Sequence, residues 1–99
     1  MPISNYLHHL RAKIGHDIVL APAAAAIIFD EQGRVLLARH TEGGWGTVGG
    51  VVEPDEHLSD AAVREAWEET GLLVEPVRVI GVYGGPEFHV TYSNGDEVS

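Results

Sequence analysis

Three glutamates, Glu65, Glu68 and Glu69, crowd one short segment of the chain with the sequence REAWEETG. A helix turns about 100° per residue, so it would place all three carboxylates within one arc of roughly 100°. This crowding is unfavourable by itself, because like charges at i,i+4 cost about 0.2–0.5 kcal/mol and anions oppose the dipole at a helix C-terminus. Carboxylate oxygens are the ligands that Mg²⁺ and Mn²⁺ prefer. A bound cation would therefore turn the repulsion into attraction.

An acidic helix face also has a simpler explanation, since most such faces are merely solvated. Val63, Ala66, Trp67 and Thr70 lie on the opposite side of the same helix and could pack in a core. Taken alone, the three glutamates favour the solvated face. The residues around them reverse that preference, because glycine, acidic and basic positions continue upstream at a defined spacing.

The spacing from Gly50 to Leu72 resembles the Nudix box, the signature of the Nudix hydrolases. That signature is a glycine, five residues, a glutamate, seven residues, and then Arg-Glu-hydrophobic-any-Glu-Glu-any-Gly-hydrophobic. Gly50, Glu56 and the segment from Arg64 to Leu72 meet every specified position, with Ala66 and Leu72 at the hydrophobic ones. Agreement at nine specified positions over 23 residues is a strong signal.

The resemblance implies an α/β (α+β) fold, a Nudix-type α/β/α sandwich around a mixed sheet. It also implies a magnesium cofactor, with manganese as an alternative. Arg64 would orient the glutamates by charge-assisted hydrogen bonds, and Glu68 would be either a ligand or the base that activates water. Carried over by position, the metal ligands are Gly49 (through its carbonyl), Glu56, Glu65, Glu68 and Glu69, and the catalytic set is Arg64, Glu68 and Glu69.

Candidate substrate contacts lie upstream of the box, at Arg39, Trp45 and Gly50. The segment TEGGWGTVGG has five glycines in ten positions and is expected to be a loop whose backbone can approach a phosphate closely. For Trp45, packing competes with base stacking, and for Arg39 a solvated strand end competes with a phosphate contact. Thr47-Val48 stands where the family often has Leu-Pro, which removes a rigid backbone constraint.

The elements that must position these residues follow from hydrophobic periodicity. Apolar residues at helical spacing predict an amphipathic helix over 3–14, starting near Ser4 or Asn5 and stopping at Gly15. A second helix is expected from about His57 or Ser59 to Thr70, with His57 as a partial cap and Gly71 at its end. Strands are predicted in AAAAIIFD (23–30), RVLLAR (34–39), LLVEPVRVIGVY (72–83) and FHVTY (88–92), the first resting on Ile27, Ile28 and Phe29.

The end of the sequence carries a hairpin signal with a short return. Asn94-Gly95 favours a tight turn, but after Asp96 only Glu97, Val98 and Ser99 are left to form the returning strand. An open strand edge is normally avoided, so the sequence predicts that a C-terminal part of the domain is missing here. The expected organisation is an N-terminal helix over 1–16 and an incomplete Nudix domain over 17–99.

Composition limits the classes of partner. The net charge of -9 disfavours general nucleic-acid binding, and the longest apolar run is too short for a membrane span. The sequence contains no cysteine, which excludes disulfides and thiolate chemistry and fits a cytoplasmic location. The resemblance allows a homodimer, since relatives are frequently dimeric.

The resemblance implies hydrolysis of a phosphoanhydride bond in a nucleoside diphosphate linked to another group, as in ADP-ribose. An ordinary or oxidised nucleoside triphosphate is the alternative substrate. The alternative class is a non-catalytic Nudix-fold module that binds a nucleotide or a protein. Such modules commonly lose a box glutamate, whereas Glu56, Glu65, Glu68 and Glu69 are all present here.

Overall fold

The computed structural model describes residues 4–40 and 43–99. Two α-helices, six short strands and one 3₁₀ turn make up its regular structure. The predicted α+β class is confirmed, with strands that form three two-stranded antiparallel pairs and a parallel bridge between Val19 and Val98. In chain order the elements are α1 (Asn5–Ile14), β1 (Ala23–Ala26), β2 (Ala38–Arg39), β3 (Trp45–Gly46), β4 (Val48–Val51), α2 (Leu58–Thr70), the 3₁₀ turn (Pro86–Phe88), β5 (Val90–Thr91) and β6 (Glu97–Val98).

Helix α1 confirms the predicted N-terminal helix and both of its ends. The Ser4 hydroxyl accepts a hydrogen bond from the Leu7 amide at 3.0 Å, which satisfies one of the free donors of the first turn. Gly15 closes the helix at φ 65°, and its amide donates to the Arg11 carbonyl. Ile3, which the periodicity also assigned to this helix, lies outside the described residues.

The core lies where α2 covers the β1–β4 pair. Antiparallel pairing sets Ala23 opposite Val51 and Ala26 opposite Val48. Val48, Ala61 and Ala66 are essentially inaccessible to solvent. Because the facing residues are alanines and glycines, the helix and the strand pair can approach closely, and this contact fixes α2 relative to β4.

The prediction that residues 41–50 form a glycine-rich loop is wrong in part, because β3 lies within this segment and β4 begins in it. Glycine permits strand pairing where a partner is available, and Ala23–Ala26 supplies that partner. The first predicted strand is also displaced toward the alanines. After β1, Phe29 forms an isolated bridge with Val35, and the Ile28 carbonyl accepts a hydrogen bond from the Leu36 amide.

The predicted turn at 30–33 is present. Its Asp30 carboxylate accepts hydrogen bonds from the Gln32 and Arg34 amides, each at 2.9 Å.

The prediction of one or two strands over residues 72–83 is wrong, because the structure has no strand there. No described residue pairs with them in a ladder, and their apolar side chains stay largely exposed, with Val77 at 88% and Val82 at 91%. Strand preference in such a sequence reflects packing on a pleated surface. Without a neighbouring strand, the preference alone does not produce a ladder.

The C-terminal hairpin forms as its Asn94-Gly95 turn predicts, although β5 is limited to Val90–Thr91. The return strand β6 has a second neighbour as well. The Val19 amide donates to the Glu97 carbonyl at 3.0 Å, and the Ser99 amide donates to the Val19 carbonyl at 2.8 Å. The edge that the sequence left open is therefore paired with the chain preceding β1.

The Arg11 side chain ties α1 to this hairpin. Its guanidinium donates to the Glu97 carbonyl at 2.9 Å and lies 3.4 Å from the Asp96 carboxylate. His16 contacts the other Asp96 oxygen through Nδ1 at 2.7 Å. The hydrogen bond from His16, supported by the charge of Arg11, lowers the pKa of Asp96.

We expect the stabilisation from Asp96 to depend on pH. A carboxyl whose pKa is lowered by folding stabilises the fold above its unfolded pKa, near 4, and loses that contribution as the pH falls through the folded value. Asp96→Asn should therefore be less stable than the wild type near neutral pH, and the difference should shrink as the pH falls through the lowered pKa of Asp96. Urea unfolding across a pH series measures this, with Asp17→Asn as the control. A difference that stays constant down to pH 2 would contradict the assignment.

Candidate metal and active site

Helix α2 carries the acidic residues, and its ends are well defined. It ends as predicted at Thr70, with Gly71 left-handed at φ 74° and its amide donating to the Trp67 carbonyl. His57 precedes the first turn in an extended conformation, but its side chain makes no capping hydrogen bond, so its predicted role as a partial cap is wrong. The buried face of α2 consists of Ala61, Glu65 and Ala66.

A single guanidinium binds three of the acidic side chains. Arg64 contacts Glu56 through two parallel hydrogen bonds, from Nε to Oε2 at 2.8 Å and from Nη2 to Oε1 at 2.9 Å. Its Nη1 donates to Glu65 Oε1 at 2.9 Å and lies 3.3 Å from Glu68 Oε2. Its Nη2 also reaches the Val51 carbonyl at 3.3 Å, which joins the helix to β4. The crowded carboxylates are thus compensated within the protein by Arg64.

The charges in this group reinforce one another. The hydrogen bonds that Arg64 donates to Glu56, and to Glu65 beside it, raise the pKa of Arg64 above its already high usual value. The same hydrogen bonds from Arg64 lower the pKa of Glu56. Arg64 stays positively charged and Glu56 stays ionised at neutral pH, so Glu56 is a poor proton acceptor.

A tight turn, which was not predicted from the sequence, directs Glu56 toward Arg64. The Glu56 amide donates to the Glu53 carbonyl at 3.2 Å, and the Glu53 amide donates to Glu56 Oε1 at 3.0 Å. Pro54 occupies the second position of the turn and Asp55 the third, at φ 65°. Proline at the second position and a positive φ at the third are typical of a type II turn. The Pro-Asp pair was the available signal.

Gly49 lies against Glu69, through its amide rather than its carbonyl. The Gly49 amide donates to Glu69 Oε2 at 3.1 Å. A Cβ at this position would come within 2.6 Å of the Ala24 carbonyl oxygen, so only glycine lets β4 lie this close to β1. The resemblance assigned the Gly49 carbonyl to the metal, and that assignment stays a prediction.

Glu65 is the buried member of the group. Only 3% of the residue is exposed, and burial raises the pKa of its carboxyl despite the contact with Arg64. Its second oxygen, Oε2, is buried and has no hydrogen-bond partner among the described residues. An unpaired acceptor of this kind normally costs about 1–3 kcal/mol. A cation placed there would supply the missing partner, so the residues present fit the divalent metal that the motif implies.

The acidic side chains are not already spaced as a ligand set. Within residues 4–40 and 43–99, no three acidic or histidine side chains converge closely enough to hold an ion. The hydrogen bonds above give the reason, because Arg64 holds Glu56, Glu65 and Glu68 while the Gly49 amide holds Glu69. Binding an ion would require these side chains to exchange some of these contacts for contacts with the metal.

The predicted substrate contacts lie on three strands, β2, β3 and β4. Arg39 and Trp45 are directly opposite each other in the β2–β3 pair, and both are exposed. Gly50 lies in β4 opposite Ala24, next to Gly49. Trp45 is 68% exposed and Trp67 is 58% exposed. The packing expected for Trp67 is therefore wrong, and a substrate contact at Trp45 stays a prediction.

Comparison with known proteins agrees with the motif. The family model of the NUDIX domain matches residues 19–99. The chain belongs to the Nudix family. This match covers both the box and the strands around it, so the resemblance drawn from nine positions extends over most of the sequence.

Curated relatives align with about 60% of the chain. A "MutT-like protein" of Streptomyces ambofaciens is 42% identical over 62 residues, covering 62% of this chain and 40% of the relative. A "Putative 8-oxo-dGTP diphosphatase" of Bacillus subtilis is 39% identical over 66 residues, covering 66% and 44%. "Phosphatase NudJ" of Escherichia coli is 36% identical over 61 residues, covering 59% and 40%. The matched part of the chain thus spans less than half the length of these relatives.

A membrane-crossing helix was not expected from the sequence. Among the residues that the structure describes, no helix is both long enough and apolar enough to cross a bilayer.

We expect Arg64→Met to destabilise the protein in metal-free buffer by about 2–3 kcal/mol. The physical reason is that Glu65 Oε1 would lose its charged donor while remaining buried. Urea unfolding in the presence of a chelator measures the effect. The matched control is Arg34→Met, which breaks an exposed pair with Asp30 and should cost much less stability. Equal effects of the two substitutions would show that Arg64 does not organise the site.

Proposed function

We propose that this protein hydrolyses a phosphoanhydride bond in a nucleotide and uses magnesium, or alternatively manganese, to do so. The observation that carries the proposal is the buried, unpaired Glu65 Oε2 within a complete Nudix box. Membership of the Nudix family and the names of its relatives support the same reaction class.

The residues proposed to hold the metal are Glu65 and Glu69, assisted by Glu56, Glu68 and the Gly49 backbone. When bound, a divalent cation supplies positive charge to the phosphoanhydride oxygens and makes a water easier to deprotonate. The protein's own residues position the metal-binding carboxylates and leave space for the substrate. Arg64 keeps the carboxylates together, and the glycines of β4 leave room for a phosphate beside the helix.

Glu68 is the best candidate for the general base. Its side chain is 42% exposed and its contacts with Arg64 are long, at 3.3 Å and 3.4 Å. Glu56 is paired and has a lowered pKa, Glu65 is buried, and Glu69 accepts the Gly49 amide. Glu68 is therefore the acidic side chain of the box most able to meet a water and take its proton.

Two substrate classes compete. The resemblance favours a nucleoside diphosphate linked to another group, such as ADP-ribose. The name of the Bacillus subtilis relative refers to 8-oxo-dGTP and supports the alternative, an ordinary or oxidised nucleoside triphosphate. The cytoplasmic location and the division into residues 1–16 and 17–99 stay predictions.

A hydrolysis screen decides between these classes. The panel includes ADP-ribose, sugar nucleotides, dinucleoside polyphosphates, NADH, dGTP and 8-oxo-dGTP, each with magnesium or with a chelator. Magnesium-dependent cleavage of one class supports the proposal, and the products identify the bond that breaks. No turnover by a folded chain that binds the metal would favour the non-catalytic module.

We expect Glu69→Gln to reduce magnesium-dependent turnover at least about 100-fold while the metal-free fold stays as stable or becomes slightly more stable. The physical reason is that the substitution removes a ligand charge and also relieves repulsion from Glu65. Turnover and thermal unfolding in a chelator are measured together, with the exposed Glu31→Gln as control. A sharp loss of metal-free stability would instead give Glu69 a structural role.

The homodimer is proposed on the basis of exposed surface. The accessible surface is 7536 Å², whereas a compact monomer of 10.7 kDa exposes about 5500 Å². An excess of about 2000 Å² per copy is of the size that stable homodimers bury. Residues 72–83 contribute much of the exposed apolar surface, so we propose that a second copy covers them.

Sedimentation analysis tests the dimer. The wild type should sediment as a dimer at micromolar concentration. A Val79→Asp, Val82→Asp double variant should sediment as a monomer. Leu20→Asp, at a residue that is 86% exposed but outside the segment, should remain dimeric. A wild type that stays monomeric as its concentration rises would contradict the proposal.

A further inference from the structure

The chain changes its partner strand at a single residue between β3 and β4. Strand β3 pairs with β2, whereas β4 pairs with β1. Thr47 lies between the two strands and belongs to neither ladder. Two residues further along, the Gly49 amide donates to Glu69 Oε2 at 3.1 Å. The path of the backbone at Thr47 therefore influences where Gly49 meets the acidic helix.

The His40 side chain holds the Thr47 carbonyl at this junction. Its Nε2 lies 3.1 Å from the Thr47 carbonyl oxygen, and both residues are half-buried. A carbonyl oxygen can only accept a hydrogen bond, so Nε2 must carry a proton and donate it. The ring meets this requirement in one neutral tautomer and also in its charged form. The hydrogen bond therefore does not depend on the charge of the ring.

The backbone of His40 is itself fixed on both sides. Its amide donates to the Gly44 carbonyl at 3.1 Å, and its carbonyl accepts from the Gly43 amide at 3.0 Å. The β2–β3 register sets Ala38 opposite Gly46, so His40 lies diagonally across from Gly46 on the same face of the pair. The imidazole thus starts from a defined position and points along β3 toward Thr47.

Gly46 leaves the space that the His40 ring occupies. A Cβ at this position would lie 3.0 Å from Nε2 and 3.1 Å from Cδ2 of His40. Contacts that short would force the ring or the strand to shift. Glycine therefore lets the ring lie directly over β3 and reach the Thr47 carbonyl.

The first residue of β4 does not restrict its own backbone strongly. Val48 leaves φ free, whereas the proline that the family often has here would fix φ near about −65°. The Thr47 carbonyl and the Val48 amide belong to one planar peptide unit. A hydrogen bond from His40 to that carbonyl therefore constrains the same peptide unit from outside the strand.

We propose that His40 is a positioning residue of the active site. By donating from Nε2 to the Thr47 carbonyl, it fixes the start of β4 and thereby holds the Gly49 amide against the Glu69 carboxylate. It acts through the backbone and exchanges no proton with the substrate. Its effect on turnover rests on the proposed function, whereas its effect on Gly49 is a property of the metal-free fold.

Amide hydrogen exchange, followed by NMR in a chelator, tests the placement of Gly49 without requiring turnover. In His40→Leu we expect the Gly49 amide to exchange about 2- to 10-fold faster than in the wild type, because the junction loses a hydrogen bond. In His40→Gln the side-chain amide can donate in place of Nε2, so most of the protection should return. The Val19 amide, which donates to the Glu97 carbonyl far from the junction, is the internal control.

Two exchange results would overturn the proposal. One is an unchanged Gly49 rate in His40→Leu. The other is an equal acceleration of Gly49 and Val19, which would mean that the substitution only lowers the stability of the whole fold. Circular dichroism confirms that both variants are folded, and a wild-type Gly49 rate in His40→Gln is expected in either case of the proposal's test.

Steady-state kinetics on the nucleotide identified by the hydrolysis screen give the second readout. His40→Leu should lower kcat about 5- to 100-fold at saturating magnesium and change KM much less, because misplaced groups act mainly on the reaction step. His40→Gln should retain most of kcat and the pH–rate profile of the wild type, since glutamine donates but does not titrate. His9→Leu, at an exposed position of α1, is the control. A His40→Gln variant as slow as His40→Leu would contradict the role of His40 as a donor.

The two readouts separate this inference from the hydrolase activity. Faster Gly49 exchange in His40→Leu, in a protein that hydrolyses no nucleotide with magnesium, would support the placement and contradict the proposed function. Magnesium-dependent hydrolysis with the same kcat in His40→Leu and the wild type would support the function and overturn the positioning role.

Discussion

The site depends on the charge of Arg64 being placed among carboxylates that would otherwise repel one another. Glu65 and Glu69 stand one helical turn apart, beside Glu68 at the C-terminal end of a helix dipole that disfavours all of them. Arg64 offsets this repulsion with its positive charge, and it donates two hydrogen bonds to Glu56 and one to Glu65. The metal-free helix is therefore tolerable, and the acidic side chains are kept within reach of an ion.

The surrounding fold serves that arrangement by allowing close approach. The buried alanines of α2 let the helix lie against β1 and β4 with little side-chain volume between them, and glycine at 49 lets β4 lie close to β1. The turn at Glu53–Glu56 then brings a carboxylate back to Arg64 from outside the helix. The core is small as a consequence, and Val48 is the largest fully buried side chain among the described residues. Many of their large apolar side chains stay exposed.

Sequence reasoning predicted the features that local chemistry determines. Ser4 and Gly15 bound α1, and Gly71 ends α2, because caps act within a few residues. The acidic cluster was also predictable, since its spacing is a property of one helix and its preceding loop. The hairpin at Asn94-Gly95 follows from turn chemistry in the same way.

The features it missed depend on contacts between distant segments. Pairing of Gly49 and Gly50 with alanines far upstream turned a predicted loop into β4. Residues 72–83 were predicted to form strands but do not, because no described segment pairs with them. The unpaired oxygen of Glu65 could not be predicted either, because it depends on how deeply α2 sits against the sheet.

Binding of Mn²⁺ to the isolated protein, measured from the electron paramagnetic resonance signal of the free ion, tests whether Glu65 is a metal ligand. We expect saturable binding by the wild type and at least about 10-fold weaker binding by Glu65→Gln. In that variant the amide oxygen can still accept from Arg64, so the fold is preserved. Equal affinity of the two proteins, with the variant folded, would show that Glu65 is not a metal ligand and would contradict the central claim.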